Sequence, residues 1–451
     1  MRFRSLSRAL VVIPFAVAAL SATAAAKPNF VFIIADDLGW ADVAFHGGNA
    51  PTPHLDRLRD AGVELTQHYV APVCTPTRAG LLSGRYWSRF GVANPNNNRT
   101  YPFDTETLAR ALKKQGYDTC LTGKWHLGSM PEWGPNHFGF DHSYGSLAGG
   151  VGPWDHSYKT GPFAFTWHRN EERFSEEGHV TDLITEEAIQ WLEERGEAPF
   201  FLYVPYTAIH LPIKEPQAYL DLVPETIVGD VPRHYAACII HLDAMVGRIV
   251  ETLKQTGHEK DTLLVFTSDN GGSTAENNDT KYPSDGYPEG SLPGKNAPLR
   301  GKKGDVYEGG IRVPTLAFWP GELAPGHFDS PAHIVDWMPT LCGLAGHVPG
   351  QNLKWDGWDL WPLLTGSEVP EPRRLYWQGP KFKSKAVRVG DWKLVSILKG
   401  KEWKKELFDL ARDPNETKDL ADAEPAKLEE LQNALAEFEA RDRDAVATAD
   451  R

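Results

Sequence analysis

Cysteine is scarce: Cys74, Cys120, Cys238 and Cys342 are the only four in 451 residues. That excludes a disulfide scaffold. No run is rich in lysine and arginine, and the formal net charge is -13. The electrostatic footprint of a nucleic-acid binder is therefore missing, and an anionic ligand must be held by a local cluster of cations. After the N-terminal segment no stretch is long and apolar enough to cross a bilayer. The histidines do not fall into a His-x-x-x-His or comparable zinc spacing among the motifs below, and no internal repeat occurs.

What is present begins with a targeting segment. Arg2, Arg4 and Arg8 form a basic start, Ala9 to Leu20 is a short apolar run, and Ala22 to Ala26 offers small-residue cleavage sites. Residues 1–26 read as a secretory signal peptide with maturation near Lys27, an uncleaved anchor being the alternative. The expectation is an exported protein, periplasmic or secreted, with no membrane span after cleavage.

The mature chain repeats one grammar. Asn29 to Ala35 is a nearly continuous apolar run rich in β-branched and aromatic residues, as in a strand buried on both faces. It ends at Asp36-Asp37. A helix capped by Asp104 or Thr105, with Leu108, Ala111 and Leu112 on one side, leads to a strand over Tyr117–Thr122 and then to Lys124 and His126. A helix around Ile184 to Leu192 precedes a strand over Pro199–Val204 and then His210. A helix over Tyr235–Thr256 precedes a strand over Thr262–Thr267 and then Asp269-Asn270. Strands alternating with amphipathic helices indicate an α/β fold with a large, mainly parallel central sheet flanked by helices. In open sheets of this kind ligands bind beyond the carboxyl ends of the strands. Asp36, Asp37, Lys124, His126, His210, Asp269 and Asn270 are thus expected to meet at one rim.

Residues 130–175 are rich in aromatic and histidine residues, among them Trp133, His137, His142, Trp154, His156, Trp167 and His168. They could form a sugar-stacking surface or an aromatic mini-core under a long loop. A shift to Pro, Gly and acidic residues near Leu364–Pro372 sets the expected boundary between a catalytic domain at 27–365 and a smaller C-terminal α+β subdomain at 366–451. In the latter, Ala386–Val395 alternates as one antiparallel strand would, and residues 424–440 form a charged amphipathic helix.

Asp36, Asp37, Asp269 and Asn270 offer only oxygen, which suits Ca²⁺ or Mg²⁺; loose geometry with several carboxylates favours Ca²⁺. Cys74, with Arg78 soon after, has the composition of a nucleophile beside an anion-holding cation, or else of a small buried residue beside a surface charge. Cysteine-dependent phosphatases require a longer Cys-to-Arg spacing and usually a His before the Cys, where this chain has Val73.

Cys74-Thr75-Pro76-Thr77-Arg78, continued by Ala79-Gly80-Leu81-Leu82-Ser83-Gly84-Arg85, resembles the signature of the type I sulfatases of the alkaline phosphatase superfamily. Asp36-Asp37-Leu38-Gly39, Gly123-Lys124-Trp125-His126-Leu127-Gly128, His210, Ser268-Asp269-Asn270-Gly271-Gly272 and the Leu299–Lys303 region follow in sulfatase order, most similar to arylsulfatase B-like N-acetylgalactosamine-4-sulfatases. The resemblance implies hydrolysis of sulfate esters of sulfated carbohydrates. It implies that a maturation enzyme oxidises Cys74 to formylglycine, and that this residue with Asp36, Asp37, Asp269 and Asn270 binds one Ca²⁺. It further implies that Arg78 steadies the hydrated aldehyde, Lys124 and Lys303 hold sulfate, and His210, helped by Lys303, protonates the leaving oxygen. Asp269 would assist the attacking hydroxyl and His126 would take a proton from the second hydroxyl. Many relatives have Gly-Gly-Lys where this chain has Gly301-Lys302-Lys303. Lys303 takes the sulfate role by spacing, and Lys302 either points elsewhere or contacts a second anionic group. With Cys74 converted, at most one disulfide could form; Cys120, Cys238 and Cys342 are expected buried and unreactive. The alternatives are a phosphomonoesterase or phosphodiesterase of the same superfold, and a silent carbohydrate-binding protein.

Overall fold

A computed structural model of the chain describes residues 27–158, 161–277, 286–350, 354–369 and 371–446; the signal peptide expected over residues 1–26 lies outside the described residues. Five parallel strands form the centre: β1 (Asn29–Ala35), β2 (Asp118–Lys124), β3 (His142–Ser146), β4 (Phe200–Pro205) and β5 (Thr262–Ser268). Their spatial order is β5-β1-β4-β2-β3 within a ten-stranded sheet. The flanking strands are short. Leu316–Phe318 runs antiparallel to β5, and Trp167–Arg169 runs antiparallel to β3. The sheet is therefore parallel at its centre and mixed at its edges.

The apolar run of β1 is fully buried because successive side chains enter opposite layers. Phe30, Phe32 and Ile34 join one core with Leu121, Tyr203 and Val265; Val31, Ile33 and Ala35 join the other with Cys120, Leu202 and Phe266. Helix α1 (Cys74–Ser83) is buried over its whole length. Helices α2 (Val180–Glu193) and α3 (Asp230–Gln255) pack against each other, each turning an apolar stripe to the core. Helix α3 starts earlier than the hydrophobic pattern indicates. Gly229, at φ 98°, releases the chain into a first turn carrying Asp230, where a carboxylate favours the exposed N–H groups. The helix expected from Asp104 or Thr105 starts at Leu108 instead, with the Thr107 hydroxyl accepting the Arg110 N–H. No helix among the described residues is long and apolar enough to cross a membrane.

The C-terminal part forms its own antiparallel sheet of four strands, Arg374–Gln378, Ser384–Val389, Trp392–Lys399 and Glu402–Asp409. Helix Pro425–Glu439 packs on it. The single strand expected over Ala386–Val395 is two strands of a hairpin, because Gly390, at φ 59°, turns the chain there. All four cysteines are free and buried.

Candidate active site at the ends of the parallel strands

Strand register brings the expected rim together. Ala35 pairs with Ser268, so Asp36-Asp37 and Asp269-Asn270 leave adjacent strands side by side. The Asp37 N–H donates to Asp269 Oδ1 at 3.2 Å. Lys124 is the last residue of β2. The segment after β4, which carries His210, is tied to the first carboxylate's backbone: the Asp36 N–H donates to Ala208 O and the Ile209 N–H to Asp36 O, both at 2.8 Å. From α1, the Thr77 hydroxyl donates to Asp269 O at 2.6 Å.

Three cations meet three carboxylates here. Arg78 donates through Nη2 and Nε to Asp269 Oδ2, at 2.7 and 3.2 Å, and through Nη1 to Lys124 O at 2.7 Å. Lys124 Nζ donates to Asp36 Oδ2, and Lys303 Nζ donates to Asp37 Oδ2 at 2.7 Å. The first two pairs are fully buried, whereas Lys303 keeps part of its side chain open to the cavity above. Burial, reinforced by Asp269 and Asp37 against the pull of Lys124, pushes the Asp36 carboxyl up to about 8. Burial also opposes ionisation of Asp37, but Lys303 and His210 outweigh it and hold Asp37 well below the usual carboxylate range. His126 is kept neutral by burial and then by Lys124; His210 by burial and then by Lys303. Burial pushes the Cys74 thiol up despite Lys124 and Lys303, so the plain thiol is a poor nucleophile.

Two oxygens in this cluster are left over. Asp36 Oδ1 and Asn270 Oδ1 are buried without a hydrogen-bond partner. The Asn270 amide is spent on Asp37 Oδ1 at 2.8 Å and Gly271 O at 2.9 Å. Asp36, Asp37 and His210 each offer a ligand atom within 4.8 Å of the others. Unpaired buried oxygens are costly, and a cation among them removes that cost. The donor chemistry fits a hard divalent ion.

Above the carboxylates lies a cavity of about 490 Å³ lined by Cys74, His126, His210, Lys302 and Lys303. All the expected site residues thus fall into two tiers: these cavity residues, and Asp36, Asp37, Arg78, Lys124, Asp269 and Asn270 beneath them. Asp37 and His126 adopt left-handed φ values of 68° and 54°, a strain typical of functional sites. Asn97, Gly149, Tyr158 and Thr274 also line the cavity and were not expected from the sequence. A Cβ on Gly149 would fall 2.1 Å from His126 Nε2, so only glycine admits the imidazole. Part of the aromatic segment is mini-core: Trp167 and His168 are buried, and His156 stacks on Trp167 with centroids 4.5 Å apart, whereas Trp133, His137 and His142 are half-buried and Trp154 is exposed.

A second cluster, His179, Glu215 and His241, also escaped the sequence reading because its members are far apart in the chain. Its one unbonded atom is His179 Nε2, 3.5 Å from Glu215 Oε1. His241 contacts Glu215 Oε2 through Nδ1 at 2.8 Å and Asp182 Oδ1 through Nε2 at 3.0 Å. His179 Nδ1 accepts the Thr181 N–H at 3.3 Å, which in the neutral ring puts the proton on Nε2 and leaves no lone pair there for a metal.

Comparison with known proteins identifies the family. A family model described as Sulfatase matches residues 28–347, and one described as N-sulphoglucosamine sulphohydrolase, C-terminal, matches residues 302–442. Arylsulfatase J of Mus musculus is 31% identical, over 91% of this chain and 76% of its own. N-acetylgalactosamine-6-sulfatase of Mus musculus is 32% identical, over 85% of this chain and 75% of its own. The crystal structure of Ps i-CgsB in complex with k-i-k-neocarrahexaose superposes with a TM-score of 0.81 at 29% identity, covering 94% of this chain and 95% of that one.

Proposed function

The chain belongs to the sulfatase family, and from that premise we propose that it releases inorganic sulfate from sulfated saccharides at residue 74, matured from Cys74 to formylglycine by a formylglycine-generating enzyme. The observation that carries this reading is the pair of orphaned oxygens, Asp36 Oδ1 and Asn270 Oδ1, in a cluster beside a cysteine whose own thiol burial keeps protonated. Asp36, Asp37, Asp269, Asn270 and residue 74 would hold one Ca²⁺, which would supply positive charge beside the sulfate. The hydrated aldehyde would supply the attacking hydroxyl.

The remaining work falls to the protein's own groups. Arg78, paired with Asp269, steadies residue 74 from below. Lys303 donates to Asp37 and retains further N–H donors for a sulfate oxygen; Lys124 adds a second positive charge. His210 Nδ1 lies 2.5 Å from Leu211 O, which fixes the ring, and its Nε2 lies 4.0 Å from Asp37 Oδ2. A proton on Nε2 can pass to the departing sugar oxygen, and the arriving negative charge favours that protonated form. Asp269 orients the attacking hydroxyl. His126, held neutral, accepts a proton as sulfate leaves. Residues 27–365 form the catalytic domain and 366–451 the C-terminal subdomain, and the protein acts after export.

The oxygen-rich donor set favours this reading over a phosphomonoesterase. The test measures free sulfate from a panel of sulfated saccharides, together with the intact mass of the peptide containing residue 74. We expect sulfate release, a thiol-to-aldehyde mass change, and a loss of about 10⁴-fold or more in Cys74→Ala. Full turnover by protein with an unconverted thiol, or preferred hydrolysis of aryl phosphate, overturns the proposal.

A further inference from the structure

Lys303 and Lys302 are neighbours in the chain and line the same cavity, yet their charges are treated differently. Arg78, Lys124 and Lys303 each face a carboxylate, Asp269, Asp36 and Asp37 respectively. Lys302 is a fourth cation, and it makes no ion pair among the described residues. Among the described residues its Nζ donates to a neutral group, the Thr274 hydroxyl, at 2.6 Å. The nearest acid in sequence, Asp305, uses Oδ2 to accept the Lys302 backbone N–H at 3.1 Å. That turn fixes the Lys302 backbone, as do the N–H of Lys303 on Gly272 O at 3.2 Å and that of Gly304 on Pro72 O at 2.8 Å. One lysine is thus directed down to the carboxylate tier and the other along the rim. In a chain of net charge -13, an ammonium that is ion-paired to no carboxylate among the described residues, at the mouth of an anion-binding cavity, is an electrostatic asymmetry with a direct use.

We propose that Lys302 and Thr274 form a second anion subsite, so that the preferred substrate carries a negative group besides the ester being cleaved. That group is a second sulfate on the same sugar or the carboxylate of an adjoining uronic acid. The subsite rests on the sulfatase reading and adds to it the charge class of the substrate. Lys302 Nζ spends one N–H on the Thr274 hydroxyl and has two more, so an anion can join Lys302 in a bond in which both partners are charged, a stronger one than the bond to the hydroxyl.

The experiment compares kcat/KM for disulfated N-acetylgalactosamine with that for its monosulfates, and for a uronate-bearing monosulfated disaccharide with that for its carboxyl-reduced counterpart. The two arms distinguish the sources of the second anion. The wild-type protein is expected to prefer the dianion in at least one arm. In Lys302→Ala that preference ratio falls about tenfold, mainly through KM, which is about 1.4 kcal/mol. Lys302→Arg retains the ratio, and Lys303→Ala loses turnover on every substrate. No wild-type preference, or a ratio that Lys302→Ala leaves in place, overturns the subsite. If no saccharide releases sulfate, the sulfatase reading fails; calorimetric binding of the disulfate against the monosulfates to Cys74→Ala and to the Cys74→Ala/Lys302→Ala pair then decides the subsite by itself.

Discussion

Lys393 and Lys124 are both buried ammonium groups set against carboxylates, but the clusters around them end differently. Lys393 donates to Glu308 Oε1 at 2.8 Å and lies 2.8 Å from Glu416 Oε1, out of hydrogen-bond alignment. The other oxygens are used as well: Tyr69 OH donates to Glu308 Oε2, and the Glu308 N–H donates to Glu416 Oε2, each at 2.7 Å. Arg388 closes the set by donating to the Tyr69 hydroxyl at 2.6 Å. This cluster joins the central body to the C-terminal sheet and needs nothing from outside. Around Lys124, by contrast, Asp36 Oδ1, Asn270 Oδ1 and His126 Nδ1 have no partner. The same residue types make a joint in one place and a receptor in the other: the first leaves one unbonded oxygen, Glu416 Oε1, already 2.8 Å from the Lys393 ammonium, and the second leaves three unbonded atoms.

The sharpest way to break the comparison is Lys393→Met. It removes the one ammonium between Glu308 and Glu416, leaving Arg312, 3.8 Å from Glu308 Oε2, and should cost about 3–5 kcal/mol in urea unfolding, while sulfate release per folded molecule is preserved. A loss under about 1 kcal/mol would remove the structural role from that cluster. A chelator tests the other side. Protein held at about 100 times the Kd for Ca²⁺ should lose about 3 kcal/mol on EGTA treatment, seen as a lower Tm, and Lys393→Met should show the same chelator shift as wild type. A Tm indifferent to EGTA would mean that the orphaned oxygens are not waiting for an ion.

The smallest effect concerns pH. Burial, with Glu308 against Lys393, pushes the Glu416 carboxyl from 4.5 up to about 7. A raised carboxyl pKa means that the folded state binds the proton more tightly. Its contribution is present below pH 4.5 and lost as pH rises through about 7. Glu416→Gln should flatten stability across that interval, a change on the order of 1 kcal/mol, read from urea midpoints at several pH values. An unchanged slope would assign the proton elsewhere.

The parallel core was legible because burial on both faces makes a strand such as Asn29–Ala35 a continuous apolar run. The edge strand Gly326–Phe328 and its neighbour Val63–Leu65 are too short to leave a pattern. The hairpin at Gly390 was hidden because its turn falls inside an unbroken alternation. For the site, polar residues directly after buried strands identified both tiers. Asn97, Gly149, Tyr158 and Thr274 had no such signature, since each reaches the cavity from a loop whose path is set by distant contacts. Asn97, for example, is held by the Ser129 hydroxyl at 2.8 Å.

The paired backbone hydrogen bonds between Asp36 and the Ala208-Ile209 segment splice two loops into one mechanical part. A change that shifts the first carboxylate will carry the imidazole of His210 with it. Chimeras that exchange residues 36–37 between homologous proteins should therefore exchange residues 206–210 as well, because either segment alone arrives with the wrong mate.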